Sequence, residues 1–218
     1  YPGGVYLHEG ETYRVRSIDE ATSTVQLERC ESDYFTRPVL AFDFTRFETH
    51  ETRPLGGGSE SGYAAMTVTT RAEAFQRYRF DTGESLGAEP TQTPTVTLDT
   101  RGMYLALPAD DFPAGDPRAA GLLESLRNLL ATVLPLRVMC DRNDIMTVVT
   151  RAPLGRPAIV AYDRYLGGLG FCERGYDGLA SILETCIDTV NECPCEDGCP
   201  SCVGLMGVAG SAEFQSAG

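Results

Sequence analysis

Four of the eight cysteines fall within one short stretch, Cys193-Pro194-Cys195-Glu196-Asp197-Gly198-Cys199-Pro200-Ser201-Cys202, with a C-x-C-x3-C-x2-C spacing. Thiolates this close along a chain form a donor set for one metal ion. Four of them close a tetrahedral shell around Zn²⁺ and leave no position for a reactive water, so the predicted site is structural. Pro194, Gly198 and Pro200 supply turns that bring neighbouring sulfurs to one point. A disulfide cluster and a redox relay are the other chemistries open to such a stretch. Metal binding would turn a Pro/Gly-rich end with little apolar content into a folded one.

Other residue types capable of chemistry are weaker signals. Asp141, Asp144 and Asp163 stand near predicted strand ends, and three carboxylates can hold Mg²⁺ for phosphodiester cleavage. The alternative is that they cap turns and pair with Arg142 or Arg164. Gly167-Gly168-Leu169-Gly170, after a strand and before a helix, could cradle a phosphate or simply permit a tight turn. No Lys-Ser/Thr follows it, and none follows Gly56-Gly57-Gly58. His8 and His50 are isolated. Cys186 falls on the apolar face of a predicted helix and reads as core, while Cys30, Cys140 and Cys172 read as buried free thiols.

The elements that must position these residues follow from periodicity. Alternating stretches at Val5–His8, Thr12–Arg16, Thr24–Glu28 and 33–42 predict a meander of antiparallel strands. Residues 51–62 are rich in Gly and Ser and predict a flexible linker or a loop tip. Strands resume over 63–70, 74–80, 95–100 and 102–107. The Pro/Asp-rich segment 108–117 predicts a boundary, with Asp116 as N-cap and Pro117 as first residue of the helix that follows. Ala119, Leu122, Leu123, Leu126, Leu129, Leu130, Val133 and Leu134 mark that helix, predicted to end near Pro135. Strands are predicted at 145–149 and 157–163. A second amphipathic helix, 176 to about 191, carries Leu179, Ile182, Leu183, Cys186, Ile187 and Val190 and leads into the cysteine cluster. The expected organisation is a β-rich subdomain (1–50), the linker or loop (51–62), a β-rich continuation (63–107), the boundary loop (108–117), an α/β zinc-binding domain (118–204) and a mobile tail (205–218). The fold class is α+β: a β-rich antiparallel N-terminal half, then an α/β half closed by a four-cysteine zinc site.

Composition narrows the function classes. The chain has 218 residues and a formal net charge of −13, so at long range it repels a phosphate backbone. Arg71, Arg77 and Arg79 are the candidates for a local basic patch, or else a solvated sheet face. No apolar run approaches the length of a membrane span, and no signal-type leader opens the sequence, which begins at Tyr1 as a fragment of a longer protein or a processed chain would. Cysteine usage of this kind fits a reducing cytoplasm.

Taken in order, several segments resemble one family. They are the helix, Leu134-Pro135-Leu136, Cys140-Asp141-x-x-Asp144, Tyr162-Asp163, Gly167-Gly168-x-Gly170, a second helix and the cysteine cluster. The sequence is similar here to the C-terminal zinc-binding domain of the mitomycin-repair (MrfA-type) superfamily-2 DNA helicases. Pro2-Gly3-Gly4-Val5-Tyr6-Leu7-His8, Asp33-Tyr34-Phe35-Thr36 and Thr82-Gly83-Glu84-x-Leu86-Gly87 resemble further signatures of that family, so the likeness runs over most of 1–204. It implies a non-catalytic module of an enzyme that couples ATP hydrolysis to 3′-to-5′ translocation on DNA. The module would pack on motor domains, in cis or in trans, and engage DNA through the assembled helicase, with no membrane role. The chain carries neither a Gly-x-x-x-x-Gly-Lys-Ser/Thr loop nor an Asp-Glu-x-His box for ATP. It also departs from the family in having no histidine over 119–134 and no further Cys-Gly pair after Cys202. Two other classes stay open: a metal-dependent nuclease using Asp141, Asp144 and Asp163, and a protein-interaction scaffold in a phage-defence or DNA-repair complex.

Overall fold

The computed structural model describes residues 1–196 and 198–203. The tail expected over 205–218 lies outside them. The described residues group into two compact units: residues 1–42 with 69–96, and residues 43–68 with 97–203.

In the first unit, β1 (Val5–His8), β2 (Glu11–Asp19) and β3 (Thr24–Arg29) form an antiparallel three-stranded sheet, as their alternating side chains dictate. A bulge between Val15 and Ser17 shifts its register. The turn before β2 places Gly10 at φ +83°, open to glycine at no steric cost. β4 (Tyr34–Gly56) and β5 (Ser59–Arg79) begin and end in this unit, respectively, and β6 (Ser85–Pro90) pairs antiparallel with the distal part of β5. The segment over β6 was not expected as a strand; its Gly87 and Pro90 are poor strand formers, and pairing with β5 overrides them.

Over 51–62 the same two strands give a loop tip, with strand running up to it from both sides, and no linker. The chain stays extended to Gly56, turns at Gly57-Gly58 and returns from Ser59. All three glycines hold positive φ, at +89°, +57° and +78°, which is what a tight reversal needs. The glycine run therefore marks a hairpin tip rather than slack chain. Likewise, the two strands expected over 63–80 are one, and the two over 95–107 are one, β7 (Val96–Ala106).

The second unit is a sheet with helices packed on it. β8 (Ile145–Thr150) and β9 (Ala158–Asp163) join strands from the first half of the sequence, in the order β4-β5-β7-β9-β8. The β7–β9 and β8–β9 pairs are antiparallel. α1 (Pro117–Val138) starts as expected: the Asp116 carboxylate accepts the Arg118 N–H at 2.9 Å, and Pro117 takes the first turn, where its missing N–H costs nothing. It does not stop at Pro135. Leu134, Pro135 and Val138 are all buried, and packing carries the helix one more turn, to Met139 in the left-handed region. α2 (Phe171–Asp177) precedes α3 (Leu179–Asn191), with a break at Gly178, where one longer helix from 176 was expected. Sheet residues Tyr63, Met103, Leu105, Ile159 and Ala161 meet Leu130, Leu134, Tyr176, Ile182 and Cys186 of the helices in one core. Leu122, Ile187 and Val190, expected on apolar helix faces, are exposed instead.

Candidate metal centre

α3 delivers the chain directly into the cysteine stretch. Its last turn continues through Cys193, whose N–H donates to the Val190 carbonyl at 3.3 Å. Gly198, at φ +85°, then reverses the chain ahead of Cys199. The Cys202 and Val203 N–H groups both donate back to the Cys199 carbonyl, at 3.2 and 3.1 Å. These turns gather four sulfurs that all lie within 4.8 Å of one another. The separations are 3.4 Å for Cys193–Cys195, 3.5 Å for Cys193–Cys199 and for Cys195–Cys202, and 3.8 Å for Cys199–Cys202. A tetrahedron with metal–sulfur bonds of about 2.3 Å places its sulfurs about 3.8 Å apart, so the spacing fits a zinc ion. All four are free thiols, well beyond disulfide bonding distance.

The electrostatics favour the same occupant. Backbone N–H groups of Ser201, then Cys202, face the Cys199 sulfur and bring its thiol down to about 6. Cys195 is pushed up to about 12, first by its neighbour Cys193 and then by Cys202. Adjacent sulfurs cannot all ionise by themselves, and a divalent cation removes that conflict. A donor set of four thiolates, with no carboxylate or histidine, selects zinc or iron over magnesium or calcium. Zinc held by Cys193, Cys195, Cys199 and Cys202 would have a closed shell and would contribute to the fold.

The other candidates take different places. Among the described residues, the cysteine cluster is the one group of three or more metal-type side chains close enough to share an ion. Asp141 and Asp144 sit in one turn: the Asp141 N–H donates to Asp144 Oδ2 at 2.8 Å, and Asp141 Oδ1 accepts from the Asn143 backbone at 2.8 Å. The Tyr165 hydroxyl closes on Asp144 Oδ1 at 2.6 Å. Asp163, at the end of β9, is fully buried. Its Oδ2 accepts the N–H groups of Leu169 and Phe171, at 2.6 and 3.2 Å, and its Oδ1 that of Cys172 at 2.9 Å. Gly167, Gly168 and Gly170, all at positive φ, bend the loop around this carboxylate. A Cβ on Gly168 would stand 3.3 Å from Asp163 Oδ2. An Asp at a strand end followed by a glycine-rich turn into a helix was the available signal for this arrangement.

Arg53 gave no local signal, because its partners are far along the chain. It lies 4.0 Å over the Tyr176 ring, donates to the Tyr176 carbonyl at 3.2 Å and pairs with Asp177 at 3.2 Å, clamping β4 to α2. Arg71, Arg77 and Arg79 are each ion-paired: with Glu73, with Glu89, and with Asp33 and Glu84. Cys172 and Cys186 are buried, while Cys30 and Cys140 are half-buried.

Known proteins align with both the geometry and the wider chain. Residues 126–203 match the MrfA Zn-binding domain. The chain is 32% identical over 202 residues to an uncharacterized ATP-dependent helicase, YprA, of Bacillus subtilis, covering 92% of this chain and 27% of that protein. It is 25% identical over 220 residues to the ATP-dependent helicase HRQ1 of Saccharomyces cerevisiae, covering 93% of this chain and 20% of the yeast protein. The chain thus spans about a quarter of these relatives' length. Among solved structures, the DUF1998 helicase MrfA bound to DNA matches with a TM-score of 0.66 at 31% identity, over 93% of this chain and 27% of that one. MrfA alone matches with a TM-score of 0.66 at 27% identity, over 94% and 28%. Sequence and fold agree: residues 126–203 match the MrfA zinc-binding domain, and the chain as a whole is similar to about a quarter of these helicases.

Proposed function

We propose that this chain is a non-catalytic module of an ATP-dependent DNA helicase, one that helps the enzyme engage DNA and docks on its motor domains. The observation that carries this reading is the four-sulfur cluster inside a segment matching the MrfA zinc domain, in a chain similar over nine-tenths of its length to helicases. Zinc at these cysteines would hold the stretch after α3, through Val203, in one geometry, and a fixed surface is what docking and DNA contact require. The motor lies on the same polypeptide or on another chain. The pathway is DNA repair or phage defence, in a reducing compartment such as the cytoplasm, where eight free thiols persist.

The purified chain is expected to contain about one zinc, to show no ATPase activity, and to bind a partner motor fragment when the two are mixed. ATP turnover by the chain alone, abolished by a substitution within it, would overturn the non-catalytic reading. Failure to associate with a motor fragment carrying the remaining three-quarters of a relative would overturn the docking.

A further inference from the structure

Among the described residues, one surface of the first unit is left open. Phe35 of β4 stacks on Tyr78 of β5, with ring centroids 5.5 Å apart and planes at 22°. Phe80, just past β5, lies 5.6 Å from Phe35 and is 48% exposed. The Arg37 guanidinium sits over two of these rings, 5.4 Å from the Phe35 centroid and 5.6 Å from that of Tyr78. Side chains alternate across a strand, so the neighbours at 34, 36, 75 and 77 face the other way. That opposite face is occupied. Tyr1 stacks on Phe75 at 5.4 Å and donates to Thr36 at 2.7 Å, and Arg77 lies over Tyr34 while pairing with Glu89.

The charges around the open face are unevenly satisfied. Asp33 and Glu84, the acids beside Phe80, are both held by Arg79, at 3.0 and 3.8 Å. Asp81, next to Phe80 in sequence, is a further exposed acid. Arg37 is exposed and, among the described residues, forms no ion pair, in a chain with 31 acidic residues against 18 basic ones. Carboxylates outnumber arginines, so a cation left on aromatic rings is available to an outside anion. Flat rings at a sheet surface beside one free guanidinium match an unpaired base together with its phosphate. Duplex DNA hides its base faces and cannot use such rings. We propose that Phe35, Tyr78 and Phe80, with Arg37, form a stacking platform for an unpaired base of single-stranded DNA, with Arg37 on the adjoining phosphate.

The proposal deepens the helicase-module reading and rests on it. Its test uses the zinc-loaded chain with a fluorescein-labelled oligo-dT of twenty nucleotides and a twenty-base-pair duplex. Phe80→Leu keeps apolar bulk but removes the π face, and Arg37→Gln removes the charge. Each is expected to weaken oligo-dT binding about tenfold, with zinc content and melting temperature unchanged. Phe80→Trp adds the one tryptophan to a chain that has none, and its emission should be quenched by the single strand and not by the duplex. Binding unchanged in both variants, or no quenching at saturation, would overturn the platform. If oligo-dT binding survives those variants but is lost in Cys199→Ser, the platform is wrong and the zinc-module reading stands. If the wild type leaves the single strand unbound, the platform falls, and association with a motor fragment decides the module separately.

Discussion

A single carboxylate shows how much one residue can organise. Asp163 has no exposed surface and accepts three backbone N–H groups from the loop and the first turn of α2. Asparagine at this position keeps one acceptor oxygen but replaces the other with an amide donor that faces N–H groups. At least one buried amide loses its partner, and the local attraction of a charged acceptor is lost with it. Asp163→Asn is expected to cost about 2 kcal/mol, a fall of about 6 °C in a chain of this size; an unchanged thermal melt would refute this account. The cysteines give the complementary case. Cys199 offers its sulfur to the cluster and its carbonyl to the returning chain, so Cys199→Ser should remove the bound zinc and the order of the loop together. Metal analysis beside hydrogen exchange reads both. The cysteines were legible because four thiols spaced within ten residues have few alternatives. The turn-capping role of Asp163 was one of two readings open, and only its three amide partners separate it from metal binding.

At the scale of elements, the helices make the sharper tests. Alanine in place of a helical glycine usually stabilises by about 1 kcal/mol. Gly175 in α2 is different, since a Cβ there would stand 2.6 Å from Leu134 Cδ1 and 3.0 Å from Met103 Sδ. Both side chains are fully buried and have no room to retreat. Gly175→Ala is therefore expected to destabilise by about 1–2 kcal/mol, reversing the usual sign, as chemical denaturation would report. Cys186 of α3 supplies a pH test. Burial raises its thiol from the ordinary 9.0 to about 11. In the unfolded chain the thiol loses its proton near 9, while in the fold it keeps it until about 11. The unfolded state therefore gains between those values, and stability falls as pH rises from 9 to 11. Cys186→Ala lacks this dependence, so its stability deficit at pH 8 should narrow by pH 11; a constant gap would contradict the assignment.

The same elements show what periodicity conveys and what it misses. Asp116, Pro117 and the short strands of the first sheet could be read directly, since caps and alternation are local. The strand on either side of the Gly57-Gly58 tip and the helical turn beyond Pro135 could not. Each looks locally like a break, and each is overruled by distant packing, along the sheet in one case and under Leu134 and Val138 in the other.

For the whole molecule, zinc should govern one end rather than the entire fold. The cluster lies after α3, and the main core is built from sheet and helix residues upstream of it. A strong chelator is expected to raise hydrogen exchange across 193–203 while leaving far-ultraviolet circular dichroism nearly unchanged. Loss of the whole spectrum would instead make the metal part of the main core. The net charge of −13 bears on DNA at this scale as well. Any contact must be local and few-phosphate, so the affinity for single strands should fall only shallowly with salt, with a logarithmic slope of about −1 to −2.

The loop around Asp163 has a further consequence. Its amides form a receptor whose ligand is covalently attached, held at an effective concentration that solutes at cellular levels do not match. Free phosphate and nucleotides meet a receptor already saturated by the chain itself. A glycine-rich turn that resembles a phosphate cradle thus directs three of its amides to the chain's own carboxylate, and that carboxylate sets the start of α2.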